Sequence, residues 1–130
     1  MHRDLNPSNV VFDSTGYLRL IDFGYARVWQ SCNSSDSTGT PGYMAPEILL
    51  RQNHSFESDF FGLGVILYEI MKRRRPYIGE DRVSYKEQVL NDQAVLEKAD
   101  VPPNWNLEAG HFINLCIRRR PQARLGINGV

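Results

Sequence analysis

Residues 2–24 read HRDLNPSNVVFDSTGYLRLIDFG, and this stretch decides the fold of the chain. Two β-prone runs, residues 10–12 and 17–21, flank the polar, glycine-containing segment 13–16. The second run alternates in polarity, and the whole pattern predicts a β-hairpin. Because a hairpin returns the chain to its starting point, we expect the polar motifs on its two sides to face one site.

The remaining chain has a long polar loop followed by helical patterns. Residues 31–42 are rich in Ser, Thr, Asn, Asp and Gly, a composition typical of a functional or mobile loop. Residues 58–71 are apolar on nearly all faces, which predicts a buried helix. Residues 84–96 and 109–119 have the apolar spacing of amphipathic helices. This order predicts a mainly helical α+β fold.

Length and charge exclude several classes of protein. A chain of 130 residues suffices for one domain with one core. Its fifteen basic and fifteen acidic residues cancel, so we expect no nucleic-acid partner and no anionic membrane surface. The longest apolar stretch, residues 60–71, is too short to span a bilayer and contains Glu69.

The cysteines and the N-terminus predict a cellular location. Cys32 and Cys116 lie far apart and lack metal-ligand spacing, which favours reduced thiols of a cytosolic protein. Charged residues follow Met1 at once, so we expect no signal peptide. An intracellular, cytoplasmic protein is the resulting expectation.

Three side chains near the hairpin suit phosphoryl transfer, which requires a positioned hydroxyl, charge compensation and metal ions. Asp4 is a carboxylate that can accept the proton of a substrate hydroxyl and orient its oxygen. Asn9 and Asp22 offer the hard oxygen ligands that magnesium prefers, with phosphates and water completing the octahedron. These residue types therefore suit a magnesium site with Asn9 and Asp22 as metal ligands.

The motifs together resemble one protein family. A lone His-Arg-Asp or Asp-Phe-Gly arises easily by chance, but HRDLxxxN, a hairpin, DFG and then APE in this order does not. Residues 2–126 resemble the larger, C-terminal lobe of eukaryotic protein kinases. The segment GTPGYMAPE at residues 39–47 resembles the serine/threonine branch, and residues 120–126 resemble cyclic-nucleotide-dependent and related basophilic kinases.

The resemblance implies ATP and Mg²⁺ as cofactors, and roles for further residues. It implies that Thr40 bonds near the catalytic Asp4 and helps to place the acceptor. It implies that Asp59 holds the backbone of the catalytic loop, and that Arg124 pairs with Glu47 in a bond that fixes geometry.

Other implied roles have simpler alternatives. The resemblance places Val11 beneath the adenine of ATP, and Phe23 against His2. Ordinary core packing predicts the same burial for these side chains. Glu69 corresponds to a residue that binds substrate arginine in basophilic relatives, and a local hydrogen-bond partner at the helix end is the equal alternative.

The polar loop is a candidate for regulation by phosphorylation. The resemblance implies that Arg3 binds a phosphate on this loop, because arginine binds phosphate bidentately. Asp36 falls near the family's usual phosphorylation position, where a carboxylate can imitate a phosphate in part. The candidate acceptor hydroxyls are those of Ser34, Ser35, Ser37 and Thr38.

The sequence also departs from the family pattern. Asn6 replaces the lysine that contacts the transferring phosphate, and an amide carries no charge to stabilise it. The 130 residues contain no glycine-rich loop, and their first lysine is Lys72. We therefore interpret residues 1–130 as a partial protein kinase domain without the smaller lobe, and expect little or no activity from this chain alone.

Two functions follow as hypotheses. The first is a serine/threonine protein kinase that transfers phosphoryl groups from ATP to Ser or Thr hydroxyls of a protein substrate. The alternative is a non-catalytic, kinase-like interaction module, either a pseudokinase or a truncated product. Binding of Mg-ATP together with peptide phosphorylation separates the two. The pattern names neither the substrate nor the oligomeric state.

Overall fold

A computed structural model of the chain describes residues 1–126; the last four residues of the predicted domain lie outside this range. The described residues form one two-stranded sheet followed by helices, which confirms the mainly helical α+β organisation. The elements are a 3₁₀ turn (Pro7–Asn9), β1 (Val10–Phe12), β2 (Leu18–Leu20), α1 (Pro46–Leu49), α2 (Glu57–Lys72), α3 (Arg82–Asn91), a 3₁₀ turn (Lys98–Asp100), α4 (Leu107–Cys116) and a 3₁₀ turn (Pro121–Ala123).

The predicted hairpin is present. Strands β1 and β2 pair antiparallel, with Val10 opposite Leu20. The carboxylate of Asp13 stabilises the turn by accepting hydrogen bonds from the backbone N–H groups of Thr15 at 2.9 Å and Tyr17 at 3.0 Å. Because Tyr17 takes part in the turn, the second strand begins one residue later than the pattern predicts.

Helix α2 is the buried centre of the domain, close to the predicted 58–71. Its Phe61 and Val65 side chains are fully buried. A Cβ atom at Gly64 would lie 2.6 Å from the Cβ of Cys116, so this position of α2 packs against α4 at a distance that only glycine permits.

Helix α3 differs from the predicted 84–96 at both ends. It begins earlier because Asp81 caps it, accepting a hydrogen bond from the Ser84 N–H at 2.8 Å while the Ser84 hydroxyl bonds back to Asp81. It ends at Asn91, yet Leu96 is buried. The Leu96 backbone instead exchanges two hydrogen bonds of 2.8 Å with the Asn114 side chain, so a tertiary contact replaces the expected helical turn.

Helix α4 also begins before the predicted 109–119. The Asn106 side chain caps it by accepting a hydrogen bond from the Glu108 N–H at 2.9 Å, and the helix ends at Cys116. Asparagine is a favoured residue at this position because its side chain satisfies a free N–H of the first turn.

Helix α3 is tied to the segment before α1. The buried Tyr85 donates a hydrogen bond to the carbonyl of Met44 at 2.9 Å, and its burial raises the pKa of the phenol far above the usual value. Both cysteines are free thiols; Cys32 is exposed, whereas burial raises the pKa of Cys116 to about 12. Within residues 1–126, no helix has the length and apolar character needed to cross a membrane.

Candidate active site

The loop before the Pro7–Asn9 turn is held by the first turn of α2. The Asp59 carboxylate accepts hydrogen bonds from the backbone N–H groups of His2 and Arg3, both at 2.7 Å. Arg3 has a φ of 72°, a left-handed conformation that is costly for a non-glycine residue. The two bonds from Asp59 stabilise this conformation, so α2 determines where Asp4 lies.

Asp4 lies at the centre of a hydrogen-bonded ring. Its Oδ1 accepts from the backbone N–H of Thr40 at 2.8 Å and from the Thr40 hydroxyl at 2.7 Å. Its Oδ2 accepts from Asn9 Nδ2 at 3.2 Å. A carboxylate has about four acceptor positions. Three are occupied, and the remaining one is on Oδ2.

Asn6, the residue that departs from the family pattern, is part of the same ring. Its Nδ2 donates to the carbonyl of Asp4 and to the Thr40 hydroxyl, both at 3.2 Å. Its Oδ1 caps the Pro7–Asn9 turn by accepting from the Ser8 N–H at 2.9 Å. Across the described residues, no lysine or arginine side chain donates a hydrogen bond to this ring.

The side chain of Asn9 leaves its oxygen available. Its Nδ2 donates to the carbonyl of Asp4 at 2.9 Å and to Asp4 Oδ2 at 3.2 Å. The orientation that makes these bonds leaves Asn9 Oδ1 without a hydrogen-bond donor among residues 1–126. A free amide oxygen suits a hard cation such as magnesium.

The hairpin brings Asp22 next to this position. The Asn9 carbonyl accepts from the Ile21 N–H at 3.0 Å, so Asn9 lies opposite the residue before Asp22. Side chains alternate along a strand, but Asp22 has a φ of 59° and ends the strand conformation there. Among residues 1–126, its exposed carboxylate accepts only from the Gly24 N–H, at 3.2 Å.

Asn9 Oδ1 and the Asp22 carboxylate fit magnesium better than a metal ion whose ligands are all protein side chains. In the part of the chain that the structure describes, no group of three or more His, Cys, Asp or Glu side chains converges on a metal position. Magnesium keeps several water or phosphate ligands and needs few protein oxygens. One amide oxygen and one carboxylate therefore suffice for it.

The apolar residues of the hairpin are less buried than core packing predicts. The rings of His2 and Phe23 meet with centroids 5.1 Å apart and tilted by 59°, yet Phe23 is 62% exposed. Val11 is only half-buried in β1. The core-packing alternative is therefore wrong for Phe23, and Val11 is buried only in part, because no element of residues 1–126 covers this face of the hairpin.

The polar loop 31–42 is anchored at several points. Arg3 Nη1 and Asp36 Oδ2 form an ion pair at 3.0 Å, and Arg3 Nη2 donates to the Thr38 hydroxyl at 3.2 Å. Asn33 exchanges two further hydrogen bonds with the backbone of His54, at 2.8 and 2.9 Å. The loop thus has a defined path beside Asp4. Sequence reasoning missed the Asn33 contact, because no local pattern relates residues 21 positions apart.

Glu69 has a local partner. Its carboxylate accepts a hydrogen bond from the Tyr43 hydroxyl at 2.6 Å. Partial burial, and then this bond, raise the pKa of Tyr43 to about 12. The local-partner alternative therefore describes the observed contact, and a role in binding substrate arginine stays a prediction.

Glu47 and Arg124 form a buried, bidentate ion pair. The two N–O distances are 2.6 and 3.0 Å, and both side chains are within 1% of full burial. Arg124 also donates to the carbonyl of Glu57 at 3.0 Å and lies over the ring of Phe61. The carboxylate, the carbonyl and the aromatic ring offset the cost of burying the Arg124 charge. These contacts connect the end of the described chain to α1 and α2.

Comparison with known proteins agrees with this arrangement. The sequence profile described as "Protein kinase domain" matches residues 1–130. The chain belongs to the protein kinase family. This kinase-family chain is 35% identical to human cGMP-dependent protein kinase 2 over 97% of its own length and 16% of the relative.

Two further relatives support the serine/threonine branch. The chain is 33% identical to human ribosomal protein S6 kinase alpha-6, over 100% of its length and 17% of that protein. It is 32% identical to serine/threonine-protein kinase AtPK1/AtPK6 of Arabidopsis thaliana, over 97% of its length and 26% of the relative. The resemblance to cyclic-nucleotide-dependent kinases is confirmed. The kinase-family chain spans about a sixth to a quarter of the length of these relatives.

Proposed function

We propose that residues 1–130 form the larger-lobe part of a serine/threonine protein kinase domain and carry half of its phosphoryl-transfer site. The substrate is a Ser or Thr hydroxyl of a protein, and ATP is the phosphoryl donor. The family match and the three relatives support this reaction. The order of loop, hairpin, polar loop and buried helix supports the assignment to the larger lobe.

The ring around Asp4 is the observation that carries the proposal. Two bonds from Thr40 orient the carboxylate, and Asn9 holds its second oxygen. The free acceptor position on Oδ2 receives the hydrogen of the substrate hydroxyl and directs its oxygen toward the γ-phosphorus. Thr40 and Asn6 act as positioning residues, since they touch Asp4 and each other.

Asn9 Oδ1 and the Asp22 carboxylate are the proposed magnesium ligands. When bound, magnesium neutralises charge that develops on the phosphate oxygens. The commitment of Asn9 Nδ2 to Asp4 supports this role, because it leaves the amide oxygen for the cation. Val11 is the proposed apolar contact for the adenine of ATP, supported by its half-buried place in β1.

One observation favours the alternative function, a non-catalytic interaction module. In the described residues the ring contains no cation, because Asn6 stands where the family has lysine. A missing cation at a developing phosphoryl charge commonly slows transfer by orders of magnitude. The alternative predicts nucleotide-independent binding of a protein partner and no transfer.

Manganese with ATP tests the proposed site, because the paramagnetic ion replaces magnesium and broadens nearby amide resonances. We expect broadening in isotope-labelled chain centred on Asn9 and Asp22. Asp22→Asn should remove it, whereas Glu87→Gln, a charge change on the exposed face of α3, should leave it unchanged. Broadening located elsewhere would contradict the assignment.

Transfer is measured separately, as phosphopeptide formed by the protein that carries these residues. Magnesium-dependent phosphorylation of a serine peptide supports the kinase function. Nucleotide binding without transfer, together with capture of a protein partner, supports the interaction module instead.

A further inference from the structure

Arg75 is a half-buried cation that lies three residues after the end of α2. Among residues 1–126, its guanidinium takes part in no hydrogen bond and no ion pair. The two most deeply buried arginines behave differently, because Arg3 pairs with Asp36 and Arg124 with Glu47. A guanidinium held in place with its donors unused is available to bind an anion.

The guanidinium lies against the backbone that follows Thr40. A Cβ atom placed on Gly42 would lie 1.8 Å from Arg75 Nη1, closer than any atoms can approach. Gly42 also has a φ of 99°, which disfavours any other residue type. Glycine at position 42 is therefore what allows Arg75 to occupy this place.

The Tyr43 ring also contacts the guanidinium. The Arg75 Cζ is 5.7 Å from the centroid of the Tyr43 ring, within the range of a cation–π contact. The Tyr43 hydroxyl is committed to Glu69 at 2.6 Å, so this carboxylate bonds to the tyrosine rather than to the arginine. Arg75 is thus positioned while its donors stay available.

The position is close to the acceptor site. Gly42 is two residues from Thr40, and two residues of chain span at most about 7 Å. An extended peptide advances roughly 3.3 Å per residue. The Arg75 guanidinium in contact with Gly42 therefore lies on the side of the site where the residues that flank an acceptor hydroxyl held at Asp4 would pass, and the three on either side of the acceptor are the nearest of them.

We propose that Arg75 is a specificity-determining residue that binds an acidic side chain of the protein substrate, within about three residues of the acceptor hydroxyl. This inference rests on the proposed function and extends it to the substrate class. The ligand is a carboxylate of Asp or Glu, or a phosphate placed there by an earlier phosphorylation. The planar guanidinium binds either group bidentately.

Binding of short peptides without ATP tests the assignment. The probes share one serine and a neutral background, and carry Gln, Glu or phosphoserine at each of the three positions on either side of it. Fluorescence anisotropy gives the Kd for the chain. We expect one position at which Glu improves binding by about threefold to fivefold over Gln, the range of a solvent-screened ion pair. The phosphoserine arm separates the two sources of anion.

Variants identify the residue responsible. Arg75→Ala should abolish the preference, and Arg75→Lys should retain part of it. Arg74→Ala is the matched control, because it removes an equal charge from the exposed neighbour and should leave the preference unchanged. Equal binding of Gln and Glu peptides by the wild-type chain, no binding of any peptide, or a preference that survives Arg75→Ala would overturn the proposal.

Phosphoryl transfer to the same peptides tests the role of Arg75 and the proposed kinase activity separately. A charge preference in binding, without transfer by the protein that carries these residues, refutes the kinase activity and leaves the role of Arg75 standing. Transfer at equal rates to Gln and Glu peptides refutes the role of Arg75 and leaves the kinase activity standing.

Discussion

The two halves of the candidate site are held in different ways. The half around Asp4 is buried. Its carboxylate bonds to Thr40, and the neighbouring backbone N–H groups bond to Asp59, both more than thirty positions away. The half around Asp22 is exposed, and among residues 1–126 that carboxylate bonds only to a backbone N–H two residues along the chain.

The difference shows which side chains of the candidate site are oriented by contacts within the chain itself. The groups proposed to handle the substrate hydroxyl are already oriented by contacts within the chain, a condition for effective positioning. The proposed metal ligands are oriented on one side only, by Asn9 and its bond to Asp4. A ligand must therefore complete the second half, whereas it meets the first half already formed.

The largest expected effect comes from removing the central carboxylate. Asp4→Asn keeps an acceptor oxygen for Thr40 but loses the proton-accepting charge. We expect the transfer rate to fall by about 10²–10⁴-fold, the usual contribution of a positioned general base. The measurement is kcat with a serine peptide for the protein that carries these residues, with circular dichroism to check the fold. A rate that stays within threefold of wild type would remove Asp4 from its proposed role.

The next largest effect is a loss of stability when the contacts that hold the half of the site around Asp4 are removed. Asp59→Ala removes two charge-assisted hydrogen bonds to the backbone of His2 and Arg3. We expect the free energy of unfolding to fall by about 3 kcal/mol, because each such bond contributes about 1.5–3 kcal/mol. Urea denaturation measures it, and Glu87→Ala on the exposed face of α3 is the control. A loss below 1 kcal/mol would mean that the loop is held by other contacts.

A smaller effect is expected where the polar loop meets the same half. Asp36→Ala leaves the guanidinium of Arg3 without its carboxylate. Since Asp36 is 42% exposed on its side chain, solvent screening limits the loss to about 1 kcal/mol. The thermal midpoint and the rate of proteolysis within residues 31–42 measure it. Asp36→Asn, which retains an oxygen acceptor, should fall between wild type and Asp36→Ala; equal values for all three would contradict a clamping role.

The smallest effect belongs to the hairpin and depends on pH. The Thr15 hydroxyl, followed by the Tyr17 N–H and Arg19, lowers the pKa of Asp13 from 3.8 to about 2. A lowered pKa means that the turn is stabilised above pH 3.8 and that this contribution disappears as the pH falls through about 2. Carboxyl and amide chemical shifts of residues 13–17 follow the change. A midpoint near 3.8 would show that these bonds do not persist in solution.

Local sequence patterns were sufficient to predict those elements whose contacts join residues close in sequence. The hairpin follows from two β-prone runs around a glycine-containing turn, and α2 follows from an apolar run of helical length. Capping residues Asp81 and Asn106 moved the starts of α3 and α4 by about two residues. Local patterns alone could not predict that α3 ends at Asn91. The buried Leu96 belongs to no helix, and hydrogen bonds between its backbone and the distant Asn114 side chain hold it in place.

The sequence by itself determined the family and the residue types of the candidate site, since HRDLxxxN, DFG and APE are specific in their order and spacing. Only the tertiary structure decided how these side chains are held. It placed Asn6 in the ring of Asp4 and Thr40, left Phe23 exposed, and set the guanidinium of Arg75 against Gly42. The physical reason is that these features depend on packing between segments distant in sequence, where burial and hydrogen-bond geometry rather than local pattern determine the outcome.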